Sequence, residues 1–318
     1  MHARHQRMLA DIAALYYLDN ASKVEIARTH GISRFQVARY LEEAKREGIV
    51  DITIHRPHLV AAGAEGLADA LGLLSVEVAR APQPGDDGRD TLARAAAGVL
   101  ADIVVPGATV GVSWSRTLNL MAAHLPSLPG CDMVQLAGDL TIGNDGGSGQ
   151  LLHRLGLVSG GRVWPLPAPL LVESAETAAS LRRQPEISAA LDRADSLDIA
   201  VVALGTWTEG HSTVWQRVGE AERLEALRAG AVGEVSGRLI AADGSAVAGT
   251  LDERVIAVGL DQLRRTPSLL AVARGANGAP GVFAAVRAGL VNHLVVDEPL
   301  AAALLAKLES AESSEGEA

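Results

Sequence analysis

The chain has 318 residues, of which 48% are hydrophobic, 21% charged and only 3% aromatic. That is long enough for two domains and is the composition of a globular protein, which excludes a disordered chain. No stretch approaches the roughly 18 uninterrupted apolar residues of a membrane span, and the single cysteine, Cys131, excludes an intrachain disulfide and a cysteine-built zinc site. A formal charge of −10 argues at first against nucleic acid, but the charge is unevenly placed. Residues 1–58 hold 9 Lys/Arg against 7 Asp/Glu, net +2, and the remainder 19 against 31, net −12. A small basic head on an acidic body is the distribution expected of a DNA-binding domain fused to a sensing domain. The charged, polar N-terminus is not that of a signal peptide, and a cytoplasmic location is expected.

Leu9, Ile12, Ala13, Leu15, Tyr16 and Leu18 recur at helical spacing and predict a first helix from His5 to Leu18. Ser22-Lys23-Val24-Glu25 has the form of a capping box and opens a second helix that stops at Gly31. Ser33-Arg34-Phe35-Gln36 is another capping box, opening a helix that carries Val37, Tyr40, Leu41 and Ala44 and ends at Gly48. The alternation of residues 49–54 then predicts a short hairpin. Two short helices joined through a glycine turn, followed by a hairpin, form the winged helix-turn-helix pattern. In that geometry the start of the second helix enters the major groove. The residues expected at DNA are therefore Ser22, Lys23, Ser33, Arg34, Gln36, Arg39 and Lys45, with Arg suited to guanine, Gln to adenine and Lys45 to phosphate. Plain solvation of these helix faces is the competing explanation.

From residue 59 the pattern changes. Helices are predicted over 59–71, 90–103, 116–125, 149–157, 173–183, 186–194, 220–229, 280–289 and 298–308. Strands are predicted over 75–79, 109–113, 133–136, 162–165, 199–204, 239–241, 269–273 and 293–296. This alternation predicts a parallel sheet covered on both faces, whose ligands bind beyond the carboxyl ends of the strands. The segments at those ends are Ser113 to Thr117, Gln135 to Asp139, Gly205 to Trp207 and Arg274 to Gly278. The first, with hydroxyls and Arg116 at a helix start, suits an anion or a sugar hydroxyl. The glycine-rich run 143–149 lacks the Lys-Ser/Thr of a phosphate loop and is expected to be a flexible loop over the pocket. The acidic run from Glu309 to Ala318 is expected to be a frayed tail.

The order of the winged head, Val110-Gly111-Val112-Ser113-Trp114-Ser115-Arg116-Thr117, Val134-Gln135-Leu136-Ala137-Gly138, Gly233-Glu234-Val235-Ser236-Gly237-Arg238, residues 251–256 and the closing run 284–298 resembles the SorC family of sugar-responsive bacterial transcription regulators. The resemblance spans about residues 8–305. It implies an α/β chain with a winged helix-turn-helix in 1–57, a Rossmann-like effector and oligomerisation domain resembling sugar-phosphate isomerases in 58–312, and a tail in 313–318. It further implies a dimer or tetramer on a palindromic operator, controlled by a sugar, polyol or sugar phosphate, with neither cofactor nor metal. The effector residues it implies are Ser113, Ser115, Arg116, Thr117, Gln135, Gly205, Thr206, Glu234 and Asn277, with Arg274 as a second phosphate holder.

Several positions depart from the family pattern. Ser115 stands for a glycine, Ala137 lies near an expected asparagine, Glu234 replaces an aspartate, Leu239-Ile240 replace two aromatic residues, and Gly278 stands where the family has a lysine. The only lysine beyond residue 58 is Lys307. A Schiff base with a sugar aldehyde therefore has no evident amine. The rival readings are an isomerase-like enzyme, with Asp139, Glu234 or His211 as base, and a regulator with a non-sugar or protein effector.

Overall fold

The computed structural model describes residues 2–19, 21–50, 64–79, 88–140 and 148–315. The predicted hairpin beyond Val50, the start of the predicted helix over 59–71 and most of the glycine-rich run 143–149 lie outside them. The chain divides into two compact units, 1–59 and 60–318.

The first unit holds three helices, α1 (His2–Tyr17), α2 (Lys23–His30) and α3 (Arg34–Arg46). Leu9, Ile12 and Ala13 of α1 pack with Ile26 of α2 and with Val37, Leu41 and Ala44 of α3 in a buried core. Both predicted capping boxes form. Ser22 Oγ accepts from Glu25 N while Glu25 Oε2 accepts from Ser22 N, and Ser33 and Gln36 exchange the same pair of bonds. Gly31 turns the chain between α2 and α3 with φ 65°, a left-handed conformation that a β-carbon disfavours.

The second unit runs α4 (Ala64–Leu71), β1 (Ser75–Ala79), α5 (Arg89–Ile103), β2 (Thr109–Val112), α6 (Arg116–His124), β3 (Cys131–Gln135), α7 (Ser148–Ser159), β4 (Gly160–Trp164), α8 (Ala175–Arg182), α9 (Pro185–Arg193) and β5 (Ile199–Thr206). It continues with α10 (Glu220–Arg228), β6 (Ala231–Val235), β7 (Arg238–Ala241), α11 (Thr250–Arg254), α12 (Leu260–Arg265), β8 (Ser268–Ala273), α13 (Ala279–Arg287), β9 (His293–Asp297) and α14 (Glu298–Glu315). The expected parallel sheet is present, in the order β1-β9-β8-β5-β2-β3-β4, with β6 and β7 added antiparallel at the end of β5. Successive residues face opposite sides and both sides are buried. Ile199, Val201, Leu270, Val272 and Val295 enter one core, and Ala200, Val202, Leu269, Ala271, Leu294 and Val296 the other.

Four of the described elements differ from the sequence-based expectation. Strand β6 and the short helices α11 and α12 were not predicted, and α14 continues to Glu315 where a frayed tail was expected from Glu309. Its anchored turns, with Leu300 and Leu304 fully buried, extend into a run of alanine, glutamate and serine that carries no helix breaker before Gly316.

The sheet order opens a crevice at one point. From β2 the chain steps outward through β3 to β4, then returns to place β5 on the other side of β2, and β8 and β9 continue outward from there. The reversal leaves a crevice beyond the carboxyl ends of β2 and β5.

The Ser33 cap generates a prediction. Ser33→Ala removes the acceptor for Gln36 N and is expected to destabilise α3 by about 1 kcal/mol, read as faster amide hydrogen exchange across 34–46, while Ser33→Asp keeps wild-type protection.

Candidate functional site

The crevice is a cavity of about 370 Å³, within the size range of small-molecule sites. Its wall takes Ser113, Trp114, Ser115, Arg116 and Thr117 from the end of β2 and the start of α6, and Gly205 and Thr206 from the end of β5. The loop after β8 adds Arg274, Gly275 and Gly278, and Arg89 comes from the first turn of α5. Ser115 is the N-cap of α6, its Oγ accepting from Leu118 N at 3.0 Å. The cavity thus lies beside two helix N-termini, each with an arginine as first helical residue, which favours negative charge.

Strand β6 closes the site. Leu204, Gly205 and Thr206 pair with Val235, Glu234 and Gly233. A β-carbon at Gly205 would lie 3.0 Å from a Glu234 carboxylate oxygen, so glycine is what lets the strand and the acid meet. Glu234 is buried, and both of its oxygens are engaged: Gly237 N donates to one at 2.7 Å and Ser212 Oγ to the other at 3.0 Å. Burial pushes its pKa above the usual carboxylate range, against the opposing pull of these two bonds. The turn between β6 and β7 is Ser236-Gly237, with φ of 52° and 84°. Ser236 is the one non-glycine with positive φ among the described residues, and the turn it makes lets its Oγ donate to Ser113 Oγ at 3.1 Å, tying β6 to the end of β2.

Of the expected effector residues, Ser113, Ser115, Arg116, Thr117, Gly205, Thr206, Glu234 and Arg274 come together on this wall. Gln135 does not reach it. Its Nε2 donates to Ala137 O and its Oε1 accepts from Leu166 N, so it holds the ends of β3 and β4 together. Asn277 sits in an adjoining groove, and its backbone carbonyl, rather than its side chain, receives the bond from Thr206 Oγ1. Sequence reasoning missed Arg89, Ser212 and Ser236, and also Asp297, whose carboxylate accepts from Gly275 N and so fixes the loop that carries Arg274. The Ser-Gly pair between two apolar runs was a readable turn signal for Ser236.

Among the described residues no lysine lines the cavity. Gly278, at the family's lysine position, is on the wall, and a β-carbon there would meet the Leu300 methyls at 3.3 Å. Lys307 is exposed in the adjoining groove, its Nζ 5.9 Å from the Phe283 ring centre. Trp114, nine-tenths buried on the cavity wall, has no hydrogen-bond partner for its indole N–H among the described residues.

In the first unit the expected DNA-contacting residues divide by role. Ser22 and Ser33 are N-caps. The Gln36 carboxamide oxygen holds Ser33 N, so the same side chain reaches an adenine only by releasing the cap. Arg34 and Arg39 are exposed, and so are Lys23 and Lys45, whose Nζ atoms lie 5.5 and 6.0 Å from the Tyr16 and Tyr17 ring centres.

Residues 59–306 match the domain family described as "Putative sugar-binding domain". The chain is 30% identical over 308 residues to the transcriptional regulator LsrR of Klebsiella pneumoniae, covering 95% of this chain and 93% of the relative. It is 27% identical to the deoxyribonucleoside regulator of Bacillus subtilis, covering 96% and 99%. Among solved structures, the full-length sorbitol operon regulator SorC of Klebsiella pneumoniae superposes with a TM-score of 0.77 at 21% identity, covering 94% of this chain and 98% of that one.

Burial of Glu234 sets a pH dependence. Its folded pKa is raised, so its contribution to stability is greatest below the unfolded value and declines as pH rises through the folded one. Glu234→Gln removes that decline. The melting temperature of the variant relative to wild type is expected to rise between about pH 5 and about pH 8, followed by calorimetry; a constant difference would assign the group an ordinary pKa.

Proposed function

The chain belongs to the SorC family of sugar-binding transcriptional regulators, and from that premise we propose that it binds operator DNA through the helices of residues 1–50 and releases or engages it when an anionic sugar, a sugar phosphate before a neutral sugar or polyol, occupies the cavity beyond β2 and β5. The observation that carries this reading is the make-up of the wall. Arg89, Arg116 and Arg274, two helix N-termini and a set of hydroxyls converge on it, while the one carboxyl group among the described residues that line it, Glu234, has a raised pKa and is bonded within the protein. Such a wall offers donors to phosphate and both donors and acceptors to sugar hydroxyls.

Lacking a lysine on the wall, the site holds its effector without a covalent bond. Arg116 takes the phosphate role, through a planar guanidinium suited to two parallel bonds. A regulatory rather than an enzymatic reading is favoured by the candidate bases. Glu234 spends both oxygens on Gly237 and Ser212, and Asp139 lies off the cavity wall. His211 lines the cavity, but it is exposed and its Nδ1 lies 2.9 Å from Glu209 O. Action on an operator places the protein in the cytoplasm, as a dimer or tetramer on a two-fold-related site.

Arg116→Ala is expected to weaken a phosphorylated effector by about ten-fold or more while changing its dephosphorylated form little, measured by thermal shift and calorimetric titration. Equal losses for the two forms would move the phosphate away from α6. In a gel-shift titration Arg34→Ala is expected to lower operator affinity by about ten-fold or more and leave effector binding at its wild-type strength.

A further inference from the structure

The start of α3 exposes a residue that the expected set of DNA contacts leaves out. Val37, Leu41 and Ala44 are buried, which fixes the inward direction of the helix. At 100° per residue the face directly opposite is Phe35, Arg39, Glu42 and Arg46, and all four are exposed. Phe35 is 73% exposed in the first turn, the part of the helix that enters the groove in this motif. Gln36, the neighbour expected to read adenine, instead holds the cap through Ser33 N. The Arg34 guanidinium carbon lies 4.9 Å from the Phe35 ring centre, so the cation and the ring present one joint surface.

We propose that Phe35 is a specificity-determining residue of the operator-binding helix, its ring packing on the 5-methyl group of a thymine in the major groove while Arg34 contacts the adjoining base edge or phosphate. This rests on the operator-binding reading above. A phenyl ring has no donor or acceptor, and the thymine methyl is the one apolar group among the major-groove base edges. The ring therefore discriminates by that methyl and loses solvent contact only when the helix is seated. The neighbouring charges agree with such a seat, since Arg39 and Arg46 continue the same stripe toward phosphate and Glu42, already 3.4 Å from Lys45 Nζ, is partly neutralised.

The test selects a binding sequence with the full chain from randomised duplexes and then replaces each thymine in turn by deoxyuridine, which removes only the methyl group. Wild-type protein is expected to lose about four-fold in affinity per half-site at one position, the equivalent of one buried methyl. Phe35→Ala is expected to bind the unmodified duplex about ten-fold more weakly and to show no loss at that position, while Phe35→Leu retains part of it. The same deoxyuridine profile for wild type and Phe35→Ala overturns the proposal. So does an altered oligomeric state with that profile unchanged, which would assign the ring to a protein contact. Failure to recover any specific duplex would overturn the operator-binding reading itself, and this proposal with it.

Discussion

Strand β5 is bonded to two kinds of partner along its length. Its residues from Ile199 to Ala203 pair in parallel with β8, the first three of them also with β2, and Ile199 to Val202 are buried, while Leu204 to Thr206 run on past those neighbours and pair antiparallel with β6. The extension is possible because the order of strand addition reverses between β5 and β2, leaving open the space beyond their ends. Pairing there brings Glu234 opposite Gly205, where a side chain would press against the carboxylate. The Ser236-Gly237 turn then carries a hydroxyl back to Ser113 at the end of β2. One backbone register thus sets the wall of the cavity, the burial of Glu234 and the junction of the two strands that flank it.

Electrostatically, the site balances a buried carboxyl group against helix N-termini and arginines. An acidic body with net charge −12 beyond residue 58 would repel an anion at long range. In the proposed reading the local field overcomes this, because oriented backbone N–H groups and guanidinium groups act at contact distance while the surface charges are screened by salt. Glu234 adds little negative charge to the cavity while its proton is retained, and its two internal bonds make it a brace between Ser212 and the β6–β7 turn.

Much of this was readable from the residues. Both capping boxes, the glycine at the helix turn and eight of the nine strands among the described residues follow from local pattern, since each depends on neighbours within four residues. Strand β6 escaped because Ala231-Val232-Gly233-Glu234-Val235 carries a glycine and an acid and is a strand only by virtue of its long-range pairing with β5. Gln36 was assigned two roles that one carboxamide cannot fill together, the cap and the base contact. Phe35 was overlooked for another reason: only polar and charged residues were expected at DNA, although the apolar face of Val37, Leu41 and Ala44 already puts the ring on the opposite side of the helix. Gln135 is similar, a polar residue at a strand end whose hydrogen bonds turn inward rather than to the cavity.

The central claim is that occupancy of the cavity and occupancy of the operator are linked. The direct measurement is a thermodynamic cycle on the full chain, with operator affinity determined in the absence and presence of saturating effector and effector affinity determined with and without operator. The account predicts that the two ratios are equal and differ from one by about five- to 150-fold. Ratios of one in both directions would contradict it.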